Sequence, residues 1–366
     1  MNREIYLRDV DRAIQALPDV QKLRSARILI TGATGLVGAF LTDCLLALSD
    51  QNALDLRLYA LCRNAARAKE RFGERVNAIA ADVSEATALP ECDYIIHAAS
   101  NAHPKAFSAD PVGTMLGNIL GVRNLLEHLR AQGHGRLLFV STGEIYGDNP
   151  AIRDGFAETD FGKIDSMNPR ACYPESKRAA ETLCASYVRQ YTVDAVAARL
   201  CYTYGPTLCA SYLSQYRVDS VVARLCYVYG PTITNENSRA DAQFLRNALS
   251  KTNIIMKSAG AQVRSYCYVA DAARALIAIL SGGESGSAYN VANRAAVRSI
   301  REYAEALAKV AGVQVKFETP EDAEKRGYST VSRAVQKPDR LEALGWKPLF
   351  SFEEGIEHTF RIIEET

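Results

Sequence analysis

Residues 27–38 read Arg27-Ile28-Leu29-Ile30-Thr31-Gly32-Ala33-Thr34-Gly35-Leu36-Val37-Gly38, and the fold is decided there. A brief apolar run, Arg27 to Ile30, ends in a glycine-rich turn, and a helical pattern follows from Ala39 to Leu48. Gly32 permits the tight turn, Gly35 lets the backbone approach a pyrophosphate, and Gly38 lets helix and strand pack closely. Thr34, Leu36 and Val37 line the same turn. A helix that starts there offers free N–H groups and positive potential to phosphates. The strand–turn–helix context is what separates a dinucleotide site from a bare glycine-rich connection.

Working outward, further strands are expected at Leu56–Leu61, Val76–Ala80, Tyr94–His97, Leu137–Val140 and Ala195–Leu200. Helical stretches separate most of them, including Gly113–Leu129 and Glu175–Gln190. Strand–helix alternation with short connections predicts an α/β fold, a Rossmann-type parallel sheet with helices on both faces. Residues 1–25 read as a helical extension, broken or capped near Pro18, and 26–207 as the NAD(P)-binding domain. From about residue 233 the alternation is lost. Residues 233–260 and 293–366 read as a small C-terminal substrate lobe, while about 261–292 returns to the sheet near Ala288–Val291. Ser299-Ile300-Arg301-Glu302 matches a capping box that opens a helix in that lobe.

One feature breaks the pattern. LCASYVRQYTVDAVAARLCYTYGPT (Leu183–Thr207) is followed at once by LCASYLSQYRVDSVVARLCYVYGPT (Leu208–Thr232), with 19 of 25 positions identical. A single duplication rules out a solenoid, which needs several stacking units. The unit carries half a helix, a strand and a Tyr-Gly-Pro turn, and one ordinary fold has room for one of them. The helix that starts near Pro174 runs on through Leu183 only if the first copy stays in place. Residues 208–232 are therefore expected to be the insertion.

Bulk properties exclude several classes. The chain has 366 residues, 48% of them apolar, and a net charge of +1. There is no basic footprint of a nucleic-acid binder and no run of about 18 apolar residues to span a membrane. The first 17 residues alternate charged and apolar positions and lack a signal-peptide core. Nine scattered cysteines, without a CxxC or zinc-like spacing, fit free thiols in a reducing cytoplasm.

Two sets of residues carry chemistry. The second strand ends Leu61-Cys62-Arg63, so Arg63 stands where an NAD binder places an acid for the ribose 2′-OH. An arginine there suits the 2′-phosphate of NADP. Asp82-Val83, after the third strand, suits the adenine, or Asp82 caps a turn. Tyr173-Pro174-Glu175-Ser176-Lys177 places a phenol and an ammonium four apart on one helix face. The ammonium favours phenolate, and such a tyrosine can take a hydroxyl proton while hydride leaves to a nicotinamide. The strand before Ser141-Thr142-Gly143-Glu144 delivers Thr142 to the carboxyl edge of the sheet, where open α/β sheets bind ligands.

TGATGLVG, HAAS (His97–Ser100), Asn118, STGEIYG (Ser141–Gly147), YPESK, RLCYTYGP and RSYCYVAD (Arg264–Asp271) occur in an order that resembles the extended short-chain dehydrogenase/reductase superfamily. The likeness covers about residues 26–362, including Leu344-Gly345-Trp346-Lys347-Pro348, and is nearest to UDP-glucuronate decarboxylases and dehydratase-like members. It implies Thr142, Tyr173 and Lys177 as catalytic triad, with Glu144 beside them. It implies Ala98, Ala99, Ser100 and Lys177 as cofactor contacts, and Asn118 and Arg264 as contacts to substrate. Tyr202, or Tyr227 in the second copy, stands where the family often has Asn near the substrate phosphates, and His103 and Lys105 follow HAAS in a loop suited to an anion.

Gly143 departs from the Thr-Asp-Glu of dehydratases, whose acid protonates the leaving hydroxyl; Thr-Ser-Glu decarboxylases are closer. Glu144 points away from plain 4-epimerisation. The expected function is therefore a nucleotide-sugar enzyme working through a 4-keto intermediate, with tightly bound NAD or NADP, acting as a cytoplasmic homodimer. Two alternatives use the same residues: an NADPH-dependent ketone or aldehyde reductase, and a cofactor-binding regulatory protein.

Overall fold

The computed structural model describes residues 3–15, 17, 20–85, 88–100, 107, 109–152, 154–204, 240–318 and 332–364. Seven strands form one parallel sheet: β1 (Arg27–Thr31), β2 (Arg57–Cys62), β3 (Val76–Ala80), β4 (Tyr94–His97), β5 (Arg136–Thr142), β6 (Asp194–Leu200) and β10 (Ala288–Val291). Their order is β10-β6-β5-β4-β1-β2-β3. The chain turns one way from β1 to β2 and the other way to β4, so a crevice opens at the carboxyl ends of β1 and β4.

Alternation along the strands sorts the core into two layers. Ile28, Ile30, Leu58, Ala60, Ile96, Leu138, Val140, Val196 and Ala198 face one way, toward α1 (Arg3–Gln15), α2 (Leu36–Asn52) and the helix Val269–Gly282. Leu29, Ile95, Leu137, Phe139, Ala195 and Ala197 face the other way. They meet Val122, Leu125, Leu126 and Leu129 of the helix Pro111–Gln132, and Ala180, Cys184 and Tyr187 of the helix Cys172–Tyr191. Short α3 (Ala65–Phe72) covers β2 and β3; the two long helices just named are α4 and α5.

The N-terminal helix is stapled to the body. Tyr6 donates to Asp43 at 2.6 Å, which also accepts from Arg71 at 2.6 Å. Buried Asp9 accepts from Tyr268 at 2.6 Å and pairs with His358 at 2.9 Å. Residues 20–23 form one 3-10 turn; Pro18 lies outside the described residues.

The 261–292 segment differs from its expected course. Ala288–Val291 joins the sheet beside β6, but β9 (Val263–Tyr268) does not. It pairs with β7 (Tyr202–Tyr204), β11 (Val297–Ser299) and β13 (Arg333–Ala334) in a second, four-stranded sheet. A buried apolar run satisfies either sheet, and the pairing is settled by distant strands. β8 (Ile254–Met256) and β12 (Val315–Phe317) form a two-stranded ribbon in the same lobe. The Ser299–Glu302 capping box opens a helix over Ile300–Ala311 as expected. Among the described residues, no helix is long and apolar enough to cross a membrane, no group of side chains could hold a metal ion, and every cysteine is free.

Candidate active site

The glycine turn is built as its spacing demands. Gly32 has φ of +74°, and a Cβ on it would sit 2.8 Å from the amide nitrogen of Ala99. A Cβ on Gly38 would lie 2.2 Å from the carbonyl oxygen of Gly32. Both positions thus exclude every side chain, one for backbone conformation and both for space. The Gly35 amide closes the turn onto the Gly32 carbonyl at 2.9 Å. No side chain caps α2 at Gly35. The first-turn N–H groups beyond Thr34, from Leu36 through Gly38, therefore have no partner within the helix. A pyrophosphate fits this cradle.

The neighbouring strand end lies against it. Ala98 and Ala99 donate to the Thr31 carbonyl and hydroxyl, both at 3.1 Å. His97, fully buried, meets the same hydroxyl at 2.6 Å through Nδ1. Burial, and then the Lys177 ammonium, push its pKa down to about 3. Ser100 donates to Asn118 Oδ1 at 2.7 Å, and Asn118 Nδ2 donates to Ser176 at 2.9 Å. Asn118 is thus a buried bridge from the β4 end to the Tyr173 helix. At the β2 end, Arg63 is exposed and followed by the start of α3, where Asn64 caps the Arg67 amide. Asp82 accepts from the Ser84 amide and hydroxyl at 2.9 and 2.7 Å. Desolvation raises the Asp82 pKa, but those bonds and Arg63 bring it below the usual range. The turn-capping alternative for Asp82 is therefore present in the structure. Val83 packs over Gly121.

Thr142, Tyr173, Lys177 and Glu144 gather at the carboxyl edge of β5. Lys177 is buried, donates to the Val140 carbonyl at 2.9 Å, and stands 6.0 Å from the Tyr173 ring centre. The Glu144 amide donates to Thr142 Oγ1 at 3.3 Å, which leaves the hydroxyl proton to be given elsewhere. The helix carrying Tyr173 starts at Cys172, earlier than the Glu175 expected, because Pro174 is tolerated in a first turn.

Three residues at this edge were not singled out from sequence. Arg170, in the turn before Tyr173, bonds Glu144 Oε2 at 2.8 Å. Its guanidinium lies 4.4 Å from the Phe107 ring centre, and Phe107 stacks on Tyr173 at 5.7 Å and 17°. Gln336, from the far lobe, packs its carboxamide on Gly143. Only Arg170 had a local signal, its place three residues before the tyrosine.

Of the expected substrate contacts, Arg264 is buried and donates to the Val263 carbonyl and to Gln262 Oε1 at 2.9 and 3.1 Å. Tyr202 lies in β7 opposite Tyr266 of β9. His103, Lys105 and the second repeat copy fall outside the described residues. A cavity of about 470 Å³ opens at the opposite edge of the sheet, by Asp93, Arg136 and Asp194, and touches none of these residues.

The family model for the NAD dependent epimerase/dehydratase family matches residues 28–208 and 207–292. UDP-glucuronic acid decarboxylase 3 of Arabidopsis thaliana is 30% identical, over 92% of this chain and 89% of the relative. A UDP-glucose 4-epimerase of Thermus thermophilus, solved with NAD, is 26% identical with a TM-score of 0.68, covering 93% of this chain and 99% of that one. A dTDP-glucose 4,6-dehydratase of Streptomyces venezuelae, also solved with NAD, shares the fold at a TM-score of 0.73 and 23% identity, over 93% and 97% of the two chains.

Proposed function

The chain belongs to the NAD dependent epimerase/dehydratase family, and from that premise we propose that it removes the carboxylate of a nucleotide-linked hexuronate through a 4-keto intermediate. The observation that carries the reading is the Lys177 ammonium, fixed to the Val140 carbonyl two residues before Thr142 and set beside the Tyr173 ring. Phenol and threonine hydroxyl then flank one substrate oxygen.

The Gly32–Gly38 turn and the start of α2 would hold the cofactor pyrophosphate, with Ala98–Ser100 alongside. When bound, the nicotinamide would supply a reversible hydride acceptor for the C4 hydrogen. Tyr173 accepts the proton of the C4 hydroxyl, Thr142 donates a hydrogen bond to the same oxygen, and Lys177 stabilises the phenolate. The new C4 carbonyl draws the electron pair of the C5–carboxylate bond as CO₂ leaves. C5 then takes a proton from solvent water, and Tyr173 returns its own to the C4 oxygen.

Two features favour decarboxylation over dehydration. Gly143 has no acid to protonate a leaving hydroxyl, and Glu144 is paired rather than open. Arg63 at the β2 end, with the N-terminus of α3 behind it, favours NADP within this scheme. The test is mass spectrometry of UDP-glucuronate, UDP-glucose and dTDP-glucose after incubation with the NAD(P)⁺-loaded protein. UDP-glucuronate should lose the mass of CO₂, and Tyr173→Phe should abolish this while retaining cofactor. Turnover of only the neutral sugars, or Tyr173→Phe activity within a few-fold of the parent, contradicts the reading.

A further inference from the structure

Glu144 poses a difficulty for any substrate that carries its own carboxylate. It stands two residues beyond Thr142 with its side chain 19% exposed. One oxygen, Oε1, is buried without a hydrogen-bond partner among the described residues, and Oε2 is held by Arg170. Like charges repel far more strongly in such a partly dry site than in water.

Arg170 brings the opposite charge to that place. Its guanidinium bonds the Glu144 carboxylate at 2.8 Å and lies 4.4 Å from the ring centre of Phe107. Phe107 is itself fully buried and stacked on Tyr173. One cation therefore spans from the segment after Thr142 to the ring behind Tyr173, the two walls of the reacting centre. A planar guanidinium can pair with a carboxylate and lie on an aromatic face together, which an ammonium does poorly.

We infer that Arg170 is a specificity-determining residue: by cancelling the Glu144 charge at the wall shared by Thr142 and Tyr173, it lets the site accept an anionic sugar. This rests on the nucleotide-sugar reading above. Arg170 acts through Glu144, so its loss should penalise a hexuronate and spare the neutral hexose of the same nucleotide.

The test is calorimetric binding of UDP-glucuronate and UDP-glucose to the cofactor-loaded Tyr173→Phe protein, which holds substrate without turning it over. Adding Arg170→Gln should weaken UDP-glucuronate by about 10- to 100-fold and UDP-glucose by less than about 3-fold. Arg170→Lys should fall between. Adding Glu144→Gln to Arg170→Gln should restore UDP-glucuronate to within about 3-fold of the parent, because no uncancelled charge remains. Equal losses for both sugars, or a double variant as weak as the single one, overturns the inference while the nucleotide-sugar reading stands. A parent protein that binds neither sugar overturns that reading and this inference together.

Discussion

A Cβ on Gly143 would lie 3.0 Å from both Cδ and Nε2 of Gln336. The carboxamide of the far lobe occupies the room that an acid at this position would need. It cannot simply swing away, since Nε2 donates to the Arg199 carbonyl and to Asn290 Oδ1 at 3.2 and 3.1 Å.

Gly143→Asp should therefore destabilise the protein by about 1–3 kcal/mol, the cost of overpacking a filled site. Adding Gln336→Ala should recover part of that loss. Denaturant titration of the three proteins checks it, and a Gly143→Asp variant as stable as the parent would contradict the packing.

Arg63 should give NADP a preference over NAD. A charge-assisted bond to the 2′-phosphate is worth about 1.5–3 kcal/mol, or roughly 10- to 100-fold in affinity. Arg63→Asp should reverse the preference. Fluorescence titration with both reduced cofactors reads it out, and equal affinities in the parent protein would count against Arg63.

His97 makes a pH-dependent contribution whose sign is fixed by its environment. Desolvation, followed by the charge of Lys177, lowers its folded pKa from 6.5 to about 3. The unfolded chain therefore binds a proton that the folded one refuses. The stability this neutral histidine contributes is whole above about pH 6.5 and is lost as pH falls from there toward 3, by up to roughly 1.4 kcal/mol per unit. The loss between pH 7 and 5 should be steeper in the parent protein than in His97→Gln. Denaturant titrations at pH 7, 6 and 5 compare the slopes; equal slopes would show that His97 gains its proton with ordinary ease.

The parts of the molecule legible in sequence are those governed by local pattern. Val76–Ala80, Tyr94–His97 and Ala288–Val291 form strands at the bounds their apolar runs set. Gly32 and Gly38 sit where a turn and a close crossing admit nothing larger. What escaped is what depends on distant partners. β9 pairs with β7, β11 and β13 because of chain that arrives before and long after it. Gln336 reaches Gly143 from the opposite lobe, and Phe107 joins Arg170 to Tyr173 through stacking that has no periodic signature.

The repeat offers a test of its own. β6, in the first copy, lies between β5 and β10, and its Arg199 pairs with Glu181, eighteen positions earlier. Eighteen positions before Arg224, the matching arginine of the second copy, stands Pro206. The family model also breaks at residues 207–208, the junction of the copies. Deleting Leu208–Thr232 should give a folded protein with activity within a few-fold of the parent, since closing out a loop insertion changes stability little. An insoluble or inactive product, checked by circular dichroism and product assay, would show that the second copy is needed.

The internal redox cycle at C4 is the centre of the account, and an isotope label tests it directly. UDP-glucuronate carrying deuterium at C4 would be incubated with the cofactor-loaded protein in excess unlabelled NADH or NADPH, and the product examined by mass spectrometry and NMR. The hydrogen removed from C4 should come back to C4, so the decarboxylated product should keep its deuterium and the free cofactor pool should stay unlabelled. A product without deuterium, or label appearing in the free cofactor, would contradict the cycle.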